Sequence, residues 1–486
     1  VFLVPLAFAD DLTSPPEALV QDARPKPDVP ATGLRFLGIA AGRVGASDIG
    51  STNPFLNGQV VGELGGTNST TTQEEVALAT EERVGAFFTY TPSLWDGRLS
   101  LDAAFEVDFA FGDSAYGIGG NTGGGFGGDQ VNLQTRRLGV RARVAKETWV
   151  VGGLQFVSDG SVDPTKGRPD DLFRTGGHLM FFGSEAAGIT VYGQPGLGKA
   201  REPLRYKLGA YTLSEGGLAA ADDVTLYMAD GSWAPAYAQR LGLHLWYLRD
   251  KSGGSGGVLG QGVTSALSEL QGGPRLDFRE NETDAAPEVS ADLVWIGVDH
   301  SWNAALDRGP VGASALVVAS LGRLYVTDLA DRDVRGFLGD LEIRGRYAEG
   351  EGSVARIEAV YSTEDDADTP TYEGIVTGNS YGAVGAVYGT HGTLLLFPDI
   401  GAINRQVAQV YDVSGKGEGV LGITVGVGGG HARDADMNPL GTEINARISG
   451  RPWTLVDVGV SGAVLLGSEF TQDPWVVYTN FQWVVI

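Results

Sequence analysis

The stretch LSLDAAFEVDFAF, residues 99–111, separates by parity into two chemically different faces. Leu99, Leu101, Ala103, Phe105, Val107, Phe109 and Phe111 occupy one phase, and Ser100, Asp102, Ala104, Glu106, Asp108 and Ala110 the other. Successive side chains of a strand point to opposite faces, so one face is wholly apolar while the other carries carboxylates and small residues. A soluble sandwich strand can alternate in the same way, but it averages about five to six residues. This segment is about twice that. Its hairpin partner carries Val84, Ala86, Phe88 and Tyr90, reached through a turn around Pro92 and Asp96-Gly97.

The pattern recurs along the chain. Leu138, Val140, Ala142 and Val144 oppose Arg137, Gly139, Arg141 and Arg143; Leu241, Leu243, Leu245 and Tyr247 oppose Arg240, Gly242 and His244. Leu341, Ile343 and Tyr347 oppose Glu342, Arg344 and Arg346, and Val456, Val458 and Val460 oppose Asp457, Gly459 and Ser461. Long strands with a charged face and an apolar reverse suit a membrane barrel, where the apolar face meets lipid and the polar face lines a wet lumen. The fold class expected is all-β: a single transmembrane antiparallel β-barrel of about 16 to 18 strands, an even number. Lys146-Glu147-Thr148 and Ser449-Gly450-Arg451-Pro452 read as periplasmic turns. Residues 113–130, 250–288, 364–379 and 432–440 read as extracellular loops.

Composition agrees with this class. The 486 residues include 74 Gly and no Cys, and 42% are apolar. No apolar run is long enough to cross a bilayer as a helix, whereas a barrel strand needs only every second residue to be apolar. The net charge of -25 argues against nucleic-acid binding, which needs a basic surface to displace counterions from phosphates. Residues 1–9 end in Ala7-Phe8-Ala9 before Asp10-Asp11, the pattern of a signal-peptide remnant. Residues 10–33, rich in Pro, Asp and Ala, read as a flexible periplasmic lead-in, leaving 34–486 as the barrel. The reading places the protein in the outer membrane of a Gram-negative cell, facing lipid and lipopolysaccharide.

Chemistry motifs are sparse. No Gly-x-Ser-x-Gly or His-Glu-x-x-His occurs, and no Cys can serve as nucleophile or soft ligand. His178, His244, His300, His391 and His431 are scattered singly, so no metal, cofactor or enzymatic activity is expected. An outer-membrane hydrolase would need a Ser–His or Asp–His pair facing one another on neighbouring strands. The informative charges are basic residues in the inward phase: Arg137, Arg141, Arg143, Arg205, Lys207, Arg240, Arg344 and Arg346, with Arg356 and Arg447 beside them. Arginine offers a planar fork for carboxylate or phosphate, and a ladder of such forks lowers the barrier for anions in a pore. Inward carboxylates, among them Asp102, Glu106 and Asp108, offer the other reading, a structural ion-pair network without net selectivity. Two functions follow. One is a channel for anionic solutes; the other is a structural barrel with a plugged lumen that anchors surface or periplasmic partners.

Residues 131–194 resemble the alginate-export family of outer-membrane porins. Val131-Asn132-Leu133-Gln134 opens the strand bearing Arg137, Arg141 and Arg143; a short turn leads to Trp149-Val150-Val151-Gly152-Gly153-Leu154-Gln155-Phe156, then a loop with Gly160 and Asp163, then a strand over 172–182. Leu154 stands where that family usually carries Arg. The resemblance implies an 18-stranded barrel passing an anionic polysaccharide through an arginine-lined constriction, with Arg137, Arg141 and Arg143 lining the pore. A periplasmic export scaffold would then be a partner. The last segment, Trp475 to Ile486, is similar to the signal read by the barrel-assembly machinery, although it ends in Ile rather than an aromatic residue.

Overall fold

The computed structural model describes residues 32–47, 59–60, 71–72, 77–111, 130–157, 184–194, 204–215, 222–236, 238–253, 288–304, 308–347, 354–363, 369–376, 406–416, 424–433, 439–453, 456–467 and 475–485, with residues 306 and 365. The expected signal remnant, nearly all of the lead-in, the strand over 172–182 and most of the long loops lie outside the described residues.

The strands are β1 Gly33–Ser47, β2 Gln59–Val60, β3 Thr71–Thr72, β4 Ala77–Thr91, β5 Leu99–Phe111, β6 Gln130–Ala145, β7 Thr148–Val157, β8 Ser184–Gly193, β9 Arg205–Ser214, β10 Val224–Trp233 and β11 Gln239–Asp250. They continue as β12 Val289–Trp302, β13 Val311–Val326, β14 Arg332–Arg346, β15 Val354–Ser362, β16 Thr371–Tyr372, β17 Gln406–Lys416, β18 Thr424–Arg433, β19 Pro439–Trp453, β20 Val456–Leu466 and β21 Trp475–Val485. β2 and β3 form a separate ribbon, and β16 is appended to β14. The remaining eighteen strands pair antiparallel with their neighbours, and β1 closes the ring by pairing with both β4 and β21. Closure leaves no sheet edge.

Direction follows from the register. Gly33 pairs with Thr91 and Gly38 with Val485, so both chain ends of the barrel lie at the end of the short connections, such as 146–147. The long connections, 48–76, 112–129, 158–183, 251–288 and 363–405, leave from the other end. This is the polarity of an outer-membrane barrel, with short periplasmic turns and longer extracellular loops. One turn is corrected: β19 runs through Ser449–Pro452 to Trp453, with a register shift between Gly450 and Trp453, and Trp453 pairs with Val456 of β20.

Alternation sorts the two faces. On β11, Leu243 and Leu245 are 58% and 53% exposed, while His244, Trp246 and Leu248 between and beyond them are buried. Among the described residues the exposed phase carries large apolar side chains on most strands, with Leu138 and Val140 on β6, Ile296 and Val298 on β12, Leu341 and Ile343 on β14, and Val477 and Phe481 on β21. On β12 this belt lies between Asp292 and His300, which stand eight positions or about 26 Å apart along a strand at ~3.3 Å per residue. Tyr90, Trp233, Trp302, Tyr347 and Trp483 are exposed at the turn end, and Tyr227 stacks on Tyr247 near the loop end. Amphipathic rings settle where hydrocarbon gives way to headgroups. A closed antiparallel barrel bearing such a belt is an integral outer-membrane protein.

The inner face departs from the uniformly polar lining expected. On the loop-end halves of β10 to β14 it is apolar: Leu226, Met228, Trp246, Leu248, Leu293, Trp295, Leu324, Val334 and Leu338 are all buried. The physical reason is a segment of the chain's own. After β15 the chain returns as β16, parallel to Asp333-Val334, and then crosses the inner face. Ile375 and Val376 are wholly buried against it. Ser320 Oγ accepts from Val376 N at 3.3 Å, and Trp295 Nε1 donates to Val376 O at 2.5 Å. Gly336 makes the crossing feasible, since a Cβ there would collide with Gly374 O and the Ile375 backbone. We call residues 363–376 the strap.

Candidate functional site

The lumen wall is the candidate site, and its charges fall into three groups. The first crosses β9 to β12. Asp230, His244 and Gly297 are in register, with Lys207 opposite Asp230. Lys207 Nζ lies 3.3 Å from Asp230 Oδ2; His244 Nδ1 lies 2.8 Å from Asp230 Oδ1 and its Nε2 2.9 Å from Asp299 Oδ2. Arg240 completes the chain, 2.6 Å from Asp299 Oδ1, and Trp246 Nε1 donates to Asp230 Oδ1 at 2.9 Å. Cations and carboxylates therefore alternate across four strands, which is how buried charge is tolerated.

This chain contains the Asp–His proximity that an enzymatic reading requires. Its chemistry differs from a catalytic pair, because both ring nitrogens of His244 face carboxylates and neither is left to take a proton from a nucleophile.

The second group lies on β14, where Arg344 Nε donates to the nearby Glu342 carboxylate at 2.6 Å and Arg344 Nη1 donates to Ala304 O at 2.8 Å. Arg346 continues that phase. The third group is on β5 to β7. Arg137, Arg141 and Arg143 stand opposite the exposed Leu138, Val140 and Val144. Arg141 Nε donates to Ser100 Oγ at 3.0 Å, and its guanidinium sits 5.2 Å from the centre of the Trp149 ring. Arg143 lies 5.7 Å from the same ring and donates to Lys146 O. Hydroxyl, carbonyl and aromatic face are uncharged partners, and an arginine over an indole keeps its full charge.

Among the other expected residues, Asp102 accepts from Thr89 Oγ1 at 2.7 Å, and Arg205 shares the inward phase of Lys207. Glu106 and Asp108 belong to β5, and Arg356 and Arg447 to β15 and β19, but their side chains lie outside the described residues. The partners Asp230 and Asp299, the paired Trp246 and Trp295, and the buried trio of Gln155, Thr190 and Tyr211 had not been singled out. In that trio Thr190 Oγ1 donates to Gln155 Oε1 at 2.7 Å and lies 2.6 Å from the Tyr211 hydroxyl.

The strap is pinned at its neck. Arg332 donates to Asp365 Oδ2 at 3.0 Å and to Thr369 O at 2.9 Å, while Glu373 N donates to Asp365 Oδ1 at 3.2 Å. Thr363 Oγ1 donates to Glu373 O at 2.6 Å. Burial pushes the Asp365 carboxyl above its ordinary pKa, although Arg332 and the Glu373 amide pull it down.

No family model and no curated protein matches the chain. Among solved structures it is similar to OccK5 (OpdH) of Pseudomonas aeruginosa, at 13% identity and a TM-score of 0.47 over 93% of this chain and 98% of that one. It is likewise similar to OpdK of Pseudomonas aeruginosa with vanillate, at 10% identity and a TM-score of 0.49 over 93% and 98%. OmpT, an outer membrane protein of Vibrio cholerae, is similar at 9% identity and a TM-score of 0.37 over 93% and 99%.

Proposed function

We propose that this barrel is an outer-membrane channel for anionic solutes, an anionic polysaccharide among them, with β6 as its basic wall. The supporting observation is the contrast between walls. Lys207, Arg240 and Arg344 are each matched by a carboxylate, whereas Arg143 rests on the Lys146 carbonyl and the Trp149 indole. A cation whose partners are neutral still attracts passing anions. At about 7 Å in a water-like medium each arginine contributes roughly 0.6 kcal/mol, or about threefold in local anion concentration.

The test is reversal potential in planar bilayers under a salt gradient, wild type against R141Q/R143Q. Anion selectivity in the wild type, falling several-fold in the variant, is the expected result. Cation preference in the wild type, or an unchanged ratio in the variant, rejects the proposal.

The strap favours a second reading, a barrel closed by its own chain that serves as a platform for surface or periplasmic partners. Electrical silence of inserted wild-type protein, with conductance appearing once the strap is displaced, would select that reading.

A further inference from the structure

The lumen does not account for one charged surface, a row on the outside of the barrel where the lipid-facing belt ends. Arg249 of β11, Asp292 of β12, Arg323 of β13 and Asp333 of β14 are successive cross-strand partners in the outward phase. They lie at the loop end, one row beyond Tyr247, so they meet the outer leaflet where hydrocarbon gives way to headgroups.

Local contacts aim the cations outward. Asp292 accepts from the Tyr247 hydroxyl and from Lys251 Nζ, both at 2.8 Å. That holds the Lys251 ammonium 4.5 Å from the centre of the Tyr325 ring, with Arg323 5.9 Å away on the same ring. Arg323 is 52% exposed and reaches Asp331 at 3.2 Å; Arg249 is exposed, and among the described residues no carboxylate bridges to it. An ammonium has three donors and a guanidinium five, so at most one carboxylate apiece leaves donors for a further anion. Arg335, two residues beyond Asp333, adds a further cation in the same outward phase.

We propose that Arg249, Lys251 and Arg323 bind the phosphate of a phosphorylated outer-leaflet glycolipid, with Tyr247 and Tyr325 contacting its sugar. The inference rests on the membrane reading. A belt that ends in aromatic rings with cations just beyond suits a lipid whose acyl chains lie along Leu245 and Ile296 while its charged head sits above.

The experiment uses the full chain in detergent, offered lipid A or its dephosphorylated form, with retained lipid counted by native mass spectrometry. Wild type should retain the phosphorylated form preferentially. R249Q/R323Q leaves the Lys251–Asp292 pair intact and should weaken that preference about fivefold per cation at low salt. R249Q alone, at an exposed position, should give the single step even if the double variant folds poorly. Equal retention of both lipids, an unaffected R249Q, or full competition by millimolar inorganic phosphate each overturns the lipid-phosphate site. Protein that inserts into vesicles but shows no phosphate preference refutes only this inference, whereas failure to insert refutes the membrane reading beneath it.

Discussion

Replacing Asp230 by Asn probes the ion chain at its most buried point. The Asp230 and Lys207 side chains are 0% and 1% exposed and 3.3 Å apart. Asparagine keeps the shape and can still accept from Trp246, but it removes the negative charge that faces Lys207 and His244. Taking one member from a buried ion pair typically costs about 3–5 kcal/mol, because the remaining charge keeps its desolvation penalty without compensation. The D230N barrel should lose stability by about that amount, a shift of roughly two to three and a half orders of magnitude in the folding equilibrium. Urea titration of protein folded into vesicles, followed by tryptophan fluorescence, reads it. Trp246 donates to the mutated carboxylate and so reports locally. The decisive arm is D230N/K207M, which removes both charges and leaves an apolar stem. It should recover to within about 1.5 kcal/mol of wild type, since swapping a buried pair for apolar groups is often neutral. A D230N cost below about 1 kcal/mol, or a double variant as costly as the two single changes together, would show that the chain is solvated and that its alternation does not hold buried charge in place.

Two further perturbations address the strap. G336V places a side chain where Gly374 O and the Ile375 backbone now lie, so the strap should lift from the wall. Overpacking at such a site costs about 1–3 kcal/mol, and the change should appear as raised conductance and new proteolytic cleavage within 363–376, with the barrel itself still folded. Acid should tighten the neck. Asp365 binds its proton more strongly in the folded protein than at the ordinary value of 3.8, so the folded state takes up more protons than the unfolded chain and gains stability as pH falls through the window just above that value. Protease protection of the strap should therefore hold or increase as the pH falls toward the ordinary carboxyl value, and D365N should reproduce the acid behaviour at neutral pH.

The barrel was legible because strand alternation is a local property. Leu99 to Phe111 shows its two faces without knowledge of any neighbour, and β5 has those bounds. The charged phase was equally legible, since Arg141, Arg240 and Arg344 fall opposite exposed apolar residues as parity requires. Their partners were not. Lys207 meets Asp230 through a cross-strand register, and registers depend on pairings that no single strand encodes. A signal for the apolar inner wall was present in Leu293-Val294-Trp295-Ile296-Gly297-Val298, where both phases are apolar. A strand buried on both faces reads as a continuous hydrophobic run, whereas one between lipid and water alternates.

That run also ties the ion chain to the strap. Trp246 and Trp295 are cross-strand partners, both wholly buried, and each has a polar ring nitrogen to satisfy. Trp246 finds the Asp230 carboxylate within the charged chain, while Trp295 finds the Val376 carbonyl of the strap. Tryptophan fits this position because one end of its side chain packs in an apolar wall while the other donates a hydrogen bond. Neighbouring residues in one packed cluster couple energetically. The charged lower wall and the strap above it are therefore parts of one cluster, and a disturbance at Asp230 reaches the Val376 end through two adjoining indoles. Where the strap lies on the inner face is consequently set by the same strands that hold the alternating charges, and the strap and the charge chain belong to a single wall.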